Sequence, residues 1–179
     1  MARLEPQALV THLDRLYRVA WALCGSREEA EDLVQETAAR VLAKPRQLRG
    51  QDELAYLVQA LRNTFLLSRR TASRRPREVA TLEQVDPPDA RAARGPEAAL
   101  EARALFAAIA ELPDDFRHAL VAVDVAGLSY QEAAELLGTR EATIATRLFR
   151  ARERVARALA PADDRAAGRE GRAASRSLR

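Results

Sequence analysis

Apolar side chains recur every three or four residues through most of positions 5–71, which is the spacing of one face of an α-helix. Three such runs predict three helices. The first ends at Gly25, the second ends at Pro45, and the third ends in the pair Arg69–Arg70. We expect their buried faces to be Leu9, Leu13, Leu16, Ala20 and Leu23; Ala30, Leu33, Val34, Val41 and Leu42; and Leu54, Leu57, Val58, Leu61 and Phe65.

A second helical block is predicted over 97–160. Its first two helices have apolar faces formed by Leu100, Leu105, Phe106 and Ile109, and by Phe116, Leu120 and Val123. Prolines and glycines interrupt the chain over 72–96, which predicts a flexible linker. Beyond Pro161 the apolar periodicity stops, so we expect 161–179 to be a disordered basic tail. The predicted fold class is all-α, with two small helical domains (5–71 and 97–160) joined by the linker.

The end of the second block has the pattern of a helix-turn-helix. Ser129 and Glu132 have the spacing of a capping box, in which each residue's side chain accepts a backbone N–H of the other at a helix start. Gly138 can adopt the left-handed conformation that ends this short helix. We expect Thr139 to cap a second helix from about Arg140 to Leu159. In a helix-turn-helix this second helix enters the DNA major groove.

The predicted second helix has two stripes. The apolar stripe, expected to face the core, is Ile144, Leu148, Ala151, Val155 and Leu159. The neighbouring polar stripe is Thr143, Thr146, Arg147, Arg150, Arg154 and Arg157. Threonine and arginine side chains can contact both phosphates and base edges. The alternative is a solvated arginine-rich face, and the preceding capped helix and glycine turn favour DNA binding over it.

Composition changes this picture little. Aromatic residues make up only 4% of the 179 residues, and alanine- and leucine-rich cores favour helix over sheet. The net charge of +3 and pI near 9.6 fit a nucleic-acid partner. Cys24 is the single cysteine, which excludes an internal disulfide; we expect a buried small hydrophobe, with a redox-sensing thiol as the alternative.

Several classes of function are disfavoured. His12 and His118 are isolated, and no Cys/His spacing predicts a metal site. No nucleophile–base pair or phosphate-binding loop is present, so we expect no catalytic residues, no cofactor and no enzyme. The sequence has no secretory signal pattern and no run of about 18 apolar residues. We therefore expect a cytoplasmic protein without direct membrane insertion.

Two motifs now point to one family. The segment Ala30-Glu31-Asp32-Leu33-Val34-Gln35-Glu36-Thr37 resembles region 2.2 of bacterial sigma factors, and Leu112 through Arg154, including Gly127-Leu128-Ser129-Tyr130-Gln131-Glu132-Ala133-Ala134, resembles their region 4. Over about 8–160 the chain is similar to the extracytoplasmic-function (ECF) group. The resemblance implies that the N-terminal domain docks on the clamp helices of the largest subunit of core RNA polymerase and opens the promoter −10 element. The C-terminal domain would bind the polymerase flap and contact the −35 element.

The resemblance also assigns residues. The polymerase contacts would be Asp32, Gln35 and Glu36, whose alternative interpretation is a solvated acidic face. The −10 contacts would be Arg49, Gln51, Tyr56, Arg62, Asn63, Arg69 and Arg70. The −35 contacts would be Arg140, Thr143, Thr146, Arg147 and Arg150. Family members are often held inactive by an anti-sigma factor, which the resemblance adds as a partner.

The chain also departs from the family pattern. Ala38 and Ala39 replace a bulky pair after Thr37, and Ala142 stands where glycine is common. Two alternatives stay open, and the alanines after Thr37 bear on the second of them. One is an ordinary helix-turn-helix transcriptional regulator whose N-terminal domain senses a ligand or a partner. The other is a sigma-like interaction protein that binds polymerase or an anti-sigma factor without initiating transcription.

Overall fold

The computed structural model describes residues 2–3, 6–44, 47–48, 53–72 and 96–160. The predicted linker between Ala72 and Pro96, the tail 161–179, and the candidate −10 contacts Arg49 and Gln51 lie outside the described residues. The helices are α1 (Pro6–Cys24), α2 (Arg27–Ala43), α3 (Glu53–Ala72), α4 (Pro96–Ala110), α5 (Asp114–Leu120), α6 (Tyr130–Leu137) and α7 (Glu141–Leu159). The all-α prediction is confirmed.

The structure also contains one small β element that the sequence pattern does not predict. Two-residue strands, β1 (Ala2–Arg3) and β2 (Gln47–Leu48), pair antiparallel, with Ala2 opposite Leu48. Two residues show no detectable alternation, so a hydrophobicity pattern cannot predict a strand of this length. The pair joins the segment before α1 to the segment between α2 and α3.

In the N-terminal half, α1, α2 and α3 pack against each other around a shared apolar core. Gly25 separates α1 from α2 with a φ of +81°, a left-handed conformation that favours glycine. Ser26 then caps α2, and its hydroxyl oxygen accepts the N–H of Glu29 at 3.4 Å. This sharp corner lays α2 back against α1.

In the C-terminal half, α5 continues into a π-helical turn over Val121–Val125. The turn is closed by the N–H of Ala126, which donates to the carbonyl of Val121 at 2.8 Å. Gly127 ends the turn with a φ of +76°. No side-chain spacing in the sequence predicts this wider π-helical turn.

The two halves share one hydrophobic cluster. Residues from α1, α2 and α3 are continuous in it with residues from α4, α5, α6 and α7. In particular, α1 packs on both α4 and the π-helical turn. The division into two domains stays a prediction, because in this arrangement the halves do not have separate cores.

Most residues predicted to be buried are buried, and the exceptions lie at the margins of the apolar faces. Leu13, Leu42, Leu100, Leu105 and Leu159 are exposed. Burial of Leu159 was wrong because it is the last residue of α7, past Val155, where the helix leaves the core. None of the helices in the described ranges has the length and apolar character needed to cross a membrane.

Candidate nucleic-acid interface

Helices α6 and α7 form the predicted helix-turn-helix, and local capping sets its geometry. Ser129 and Glu132 make the full capping box: the Glu132 N–H donates to Ser129 Oγ at 3.2 Å, and the Ser129 N–H donates to Glu132 Oε2 at 2.7 Å. The Ser129 hydroxyl donates to the same carboxylate oxygen at 2.6 Å; this bond and, to a smaller extent, the one from the Ser129 N–H lower the pKa of Glu132, because they favour its ionised form. Gly138 ends α6 with a φ of +62°. Both predictions are confirmed.

The cap assigned to Thr139 was wrong. Its N–H closes the preceding helix by donating to the carbonyl of Ala134 at 2.9 Å, as in a Schellman motif. The N-cap of α7 is instead Arg140, with φ −100° and ψ 150° and no side-chain cap bond. Thr139 therefore belongs to the turn that finishes α6, and α7 begins at Glu141.

Ion pairs within the C-terminal half orient α7. Arg147 donates to Asp115 at the start of α5 at 2.8 Å. Arg152 binds Asp124 with two hydrogen bonds of 3.0 and 2.7 Å, the fork geometry that fixes orientation best. Asp124 raises the pKa of Arg152 through these bonds. No local pattern in the sequence predicts the ion pair of Arg152, because its partner Asp124 is 28 residues away.

Among the arginines of α7 with a described ion pair, Arg150 makes the longest one and has the most exposed side chain. Its side chain is 61% exposed, and its ion pair with Glu153 is 3.8 Å long. By contrast, Arg147 is 26% exposed in a short ion pair, and Arg154 lies 5.0 Å from the ring centroid of Phe116 in a cation–π contact. Arg150 is therefore the arginine most available for a ligand.

The rest of the outward face is also accessible. Thr146 and Arg140 are exposed, and Thr143 is half-buried. Thr146 donates its hydroxyl to the carbonyl of Ala142 at 2.9 Å, which leaves its oxygen free to accept. Phe149, which the sequence analysis did not single out, is 66% exposed beside Arg150. An exposed aromatic ring on such a helix can contact a thymine methyl group.

Helix α3 carries the other predicted nucleic-acid contacts, but it presents them unevenly. Asn63 and Arg70 are exposed and Tyr56 is half-buried. Arg69 donates to Asp114 of the C-terminal half at 3.1 Å. Arg62 is turned into the protein; desolvation lowers its pKa, and its Nε is buried without a hydrogen-bond partner. Only part of the predicted set is therefore available in this arrangement.

Helix α2 presents the predicted polymerase contacts on its outer face. Asp32, Gln35 and Glu36 are exposed, on the side away from the buried residues Leu33 and Thr37. Glu36 accepts a hydrogen bond from Arg40 at 2.6 Å. The structure therefore gives these three residues one accessible polar surface.

Two titratable groups lie between the halves: Cys24 is half-buried and His118 is buried. Burial, with a smaller contribution from Glu29, raises the pKa of Cys24 to about 12, so its thiol stays protonated at neutral pH. This favours the small-hydrophobe interpretation over a redox-sensing thiol. Burial next to Arg62 lowers the pKa of His118 to about 4. Within the described ranges, no three His, Cys, Asp or Glu side chains are placed to hold a metal ion.

Known protein families match segments in both halves of the chain. The Sigma-70 region 2 family matches residues 9–75, and the Sigma-70, region 4 family matches residues 102–155. The first segment contains α2 and α3, and the second contains α5, α6 and most of α7. They are also the segments that carried the resemblance in the sequence.

Two similar proteins align with most of this chain. The ECF RNA polymerase sigma factor EcfG of Rhodopseudomonas palustris is 36% identical over 137 residues, covering 76% of this chain and 74% of EcfG. The ECF RNA polymerase sigma factor SigE of Mycolicibacterium smegmatis is 34% identical over 148 residues, covering 80% of this chain but 57% of SigE.

A solved structure agrees with these relatives. The sigma factor RpoE of Bartonella quintana, in complex with the anti-sigma factor NepR, has a TM-score of 0.68 and 27% identity, over 86% of this chain and 94% of RpoE. The helix-turn-helix geometry, the two family matches and the shared length with EcfG lead to one conclusion. This chain belongs to the ECF family of RNA polymerase sigma factors.

Proposed function

We propose that this protein binds core RNA polymerase and directs it to specific promoters, with α2 docking on polymerase, α3 contacting the −10 element and α7 contacting the −35 element. The observation that carries the proposal is the conjunction of region 2 and region 4 in one chain with an exposed, pre-oriented α7. The region 2 match over 9–75 favours this function over an ordinary helix-turn-helix regulator.

The proposed −35 contacts are Arg140, the N-cap of α7, and Thr143, Thr146 and Arg150 within α7. Their support is exposure on one side of a helix whose opposite side, including Ile144 and Leu148, is fully buried. Because the core holds that opposite side, the outward face can enter a major groove without repacking the protein. Arg147 is proposed to orient α7 through Asp115 rather than to contact a base.

The proposed −10 contacts on α3 are Asn63, Tyr56 and the arginines Arg62, Arg69 and Arg70. An amide such as that of Asn63 offers both a donor and an acceptor, so it can pair with the edge of an unstacked base. The arginines would contact phosphates, a contribution that weakens as salt rises. Arg62 and Arg69 must first leave their present surroundings.

Run-off transcription tests the proposal. Core polymerase from the source organism, supplied with this protein and a set of genomic promoters, should start at discrete sites that polymerase alone does not use. The absence of specific initiation across the whole set would refute the proposed function and favour the sigma-like interaction protein.

A charge-reversal pair tests the docking surface. Asp32→Arg should weaken binding to core polymerase at least fivefold in a titration, because it places a cation in the proposed acidic contact face of α2. The control is Glu101→Arg, which makes the same charge change at an exposed position of α4. Equal binding by the two variants would contradict docking through α2.

We also propose an anti-sigma partner. The support is the RpoE structure, which is similar over most of both chains and contains the anti-sigma factor NepR. The expected result is a small protein that co-purifies with this chain from the source organism and suppresses run-off transcription when it is added back in equimolar amount. A co-purifying protein that leaves transcription unchanged would not be this partner.

A further inference from the structure

A cavity of about 640 Å³ lies where α1 of the N-terminal half meets the C-terminal half. Residues of α1, α4, the end of α5, the π-helical turn and α7 line it. Binding sites for small molecules are concave and enclose about 300–1,000 Å³. No described residue that lines the cavity is among the proposed polymerase or DNA contacts. The cavity therefore has the size of a small-molecule site that the proposed function leaves unused.

Much of the cavity wall is apolar. The wall includes Phe106 and Ile109 of α4, Leu120 of α5 and Val155 of α7, and all four belong to the shared hydrophobic cluster. Leu105 adds an apolar side chain that is 39% exposed. An apolar molecule that covers such walls removes its own surface and theirs from water, which favours binding. The wall therefore suits a ligand with an apolar body.

Charged side chains line the same cavity, and positive charge exceeds negative charge among them. Arg15 and Arg18 of α1 are half-buried. Arg152 of α7 lines the cavity together with Asp124, to which it donates the two hydrogen bonds described above. Among the described lining residues Asp124 is the one carboxylate, and it is already paired with Arg152. The cavity therefore attracts an anionic group and repels a cationic one.

Arg15 is the arginine best placed to bind that anionic group. Its Nη1 lies beside Gly127, since a Cβ added to this glycine would be 3.9 Å from the nitrogen. Within the described ranges, no carboxylate lies at ion-pair distance from Arg15. A guanidinium presents its N–H donors in a planar fork that fits the oxygens of a carboxylate, sulfonate or phosphate. Arg15 can therefore hold an anionic head group beside the apolar wall.

The π-helical turn forms one side of the cavity through Asp124 and Val125. Single π-helical turns are rare in proteins and, where they occur, frequently lie at functional sites. In this turn the Asp124 carboxylate also holds Arg152 of α7 at the same cavity. The irregular backbone is an independent observation in favour of a binding site here.

We propose that this cavity binds a small organic anion that has an apolar body and one anionic head group. The body packs against Phe106, Ile109 and Val155, and the head group accepts hydrogen bonds from the guanidinium of Arg15. The ligand then contacts α1 and α7 together, so it stabilises the folded chain as its concentration rises. Neither polymerase nor DNA takes part in this binding, so the inference goes beyond the proposed function and does not depend on it.

Two fluorescent probes that differ in one anionic group test the proposal. Anilinonaphthalene sulfonate carries a sulfonate, and phenylnaphthylamine is the same apolar body without it. In a fluorescence titration of the full chain, the sulfonate should bind at one site, about tenfold more tightly than the uncharged probe, because only it can pair with Arg15. Equal affinities for the two probes, or binding of neither, would overturn the proposal.

Arg15→Gln tests the contact with the head group. It should weaken binding of anilinonaphthalene sulfonate about tenfold and leave the affinity for phenylnaphthylamine within about twofold, because it removes the charge and keeps the apolar wall. The matched control is Arg157→Gln, which makes the same change on α7 at an exposed position outside the cavity. The control should bind both probes like wild type. Equal binding of the sulfonate by Arg15→Gln and wild type would refute the role of Arg15 and with it the proposal.

Ala156→Phe tests the location of the site. Ala156 lines the cavity at an exposed position of α7, so a larger side chain fits at the surface and fills part of the cavity. Both probes should bind at least about fivefold more weakly, because the space for the apolar body is reduced. The control is Ala104→Phe at an exposed position of α4 outside the cavity, and circular dichroism shows that each variant is folded. Unchanged binding in a folded Ala156→Phe would place the probes elsewhere and overturn the proposal. If Ala156→Phe does not fold, the comparison of Arg15→Gln with Arg157→Gln decides.

Discussion

Helices α7 and α3 are both proposed to contact promoter DNA, yet the fold treats them differently. The outward face of α7 is open, and contacts within its own half, such as Arg147 with Asp115, hold the helix in place. On α3, Arg62 and Arg69 face the other half of the molecule. Of the two proposed DNA-binding surfaces, the one on α7 is accessible in this arrangement and the one on α3 is partly covered.

The contrast follows from where each helix finds its partners. The cross-helix ion-pair partners of α7, Asp115 and Asp124, lie in the same half as α7. The partner of Arg69 lies 45 residues away in the other half, so its state depends on how the halves are arranged. Four experiments test whether the two halves and the two helices differ in this way.

The largest expected effect concerns the shared core. Leu61 of α3 and Leu148 of α7 are fully buried in one continuous cluster. Either Leu→Ala change should lower the free energy of unfolding by about 2–5 kcal/mol, and each variant should still unfold in one transition. Denaturant unfolding followed by circular dichroism measures both. Two separate transitions, each sensitive to only one variant, would show that the halves are independent.

The second prediction concerns how the free energy of unfolding depends on pH through the buried side chain of His118. Because burial lowers its pKa from 6.5 to about 4, the unfolded chain binds a proton between these pH values while the folded chain does not. The contribution is therefore fully present above pH 6.5 and is lost as the pH falls towards 4, to a total of about 2–3 kcal/mol. The measurement is the free energy of unfolding from pH 7 to 4, in wild type and in His118→Phe.

The control for that experiment is the difference between the two curves, since the carboxylates titrate in both proteins. The wild-type curve should fall more steeply than that of His118→Phe across this range. Parallel curves would mean that His118 is exposed to water in the free protein, contrary to its burial in the structure.

A smaller effect tests the open face of α7. Arg150→Ala should reduce discrimination between a cognate and a scrambled −35 duplex by about 1–3 kcal/mol, if Arg150 contacts a base. The matched control is Arg157→Ala, which removes an exposed arginine that pairs with Glu153 at the end of the same helix. That change should weaken binding to both duplexes alike. The same uniform loss in Arg150→Ala would assign Arg150 to the phosphate backbone.

The smallest effect compares the two serine caps. Ser129→Ala removes a reciprocal capping box and should lower stability by about 1 kcal/mol. Ser26→Ala removes one longer bond of 3.4 Å and should cost about 0.5 kcal/mol or less. Thermal unfolding of the two variants gives the comparison. A larger loss for Ser26→Ala would show that the N-terminal half depends more on local capping.

Interactions between residues close together in the sequence could be predicted, and those between distant residues could not. Ser129, Glu132 and Gly138 act within one turn of helix, so their spacing in the sequence was enough to place the helix-turn-helix. The cap predicted for Thr139 was wrong because this residue lies between the end of α6 and the start of α7. The left-handed backbone of Gly138 directs the Thr139 N–H to the carbonyl of Ala134, so Thr139 closes α6 and does not cap α7. The site residues on α2, α3 and α7 were assigned from family resemblance, and their roles stay predictions.

By itself, the sequence determined the helices, their buried faces and the helix-turn-helix, because periodicity and capping depend on residues three or four positions apart. The shared core of the two halves and the ion pairs of Arg147 and Arg152 came from tertiary packing. The same packing buries His118 and half-buries Arg62 between the halves. These ion pairs join residues 28 or more positions apart. No local pattern encodes such pairs, since any of the many arginines could meet any carboxylate until packing brings two of them together.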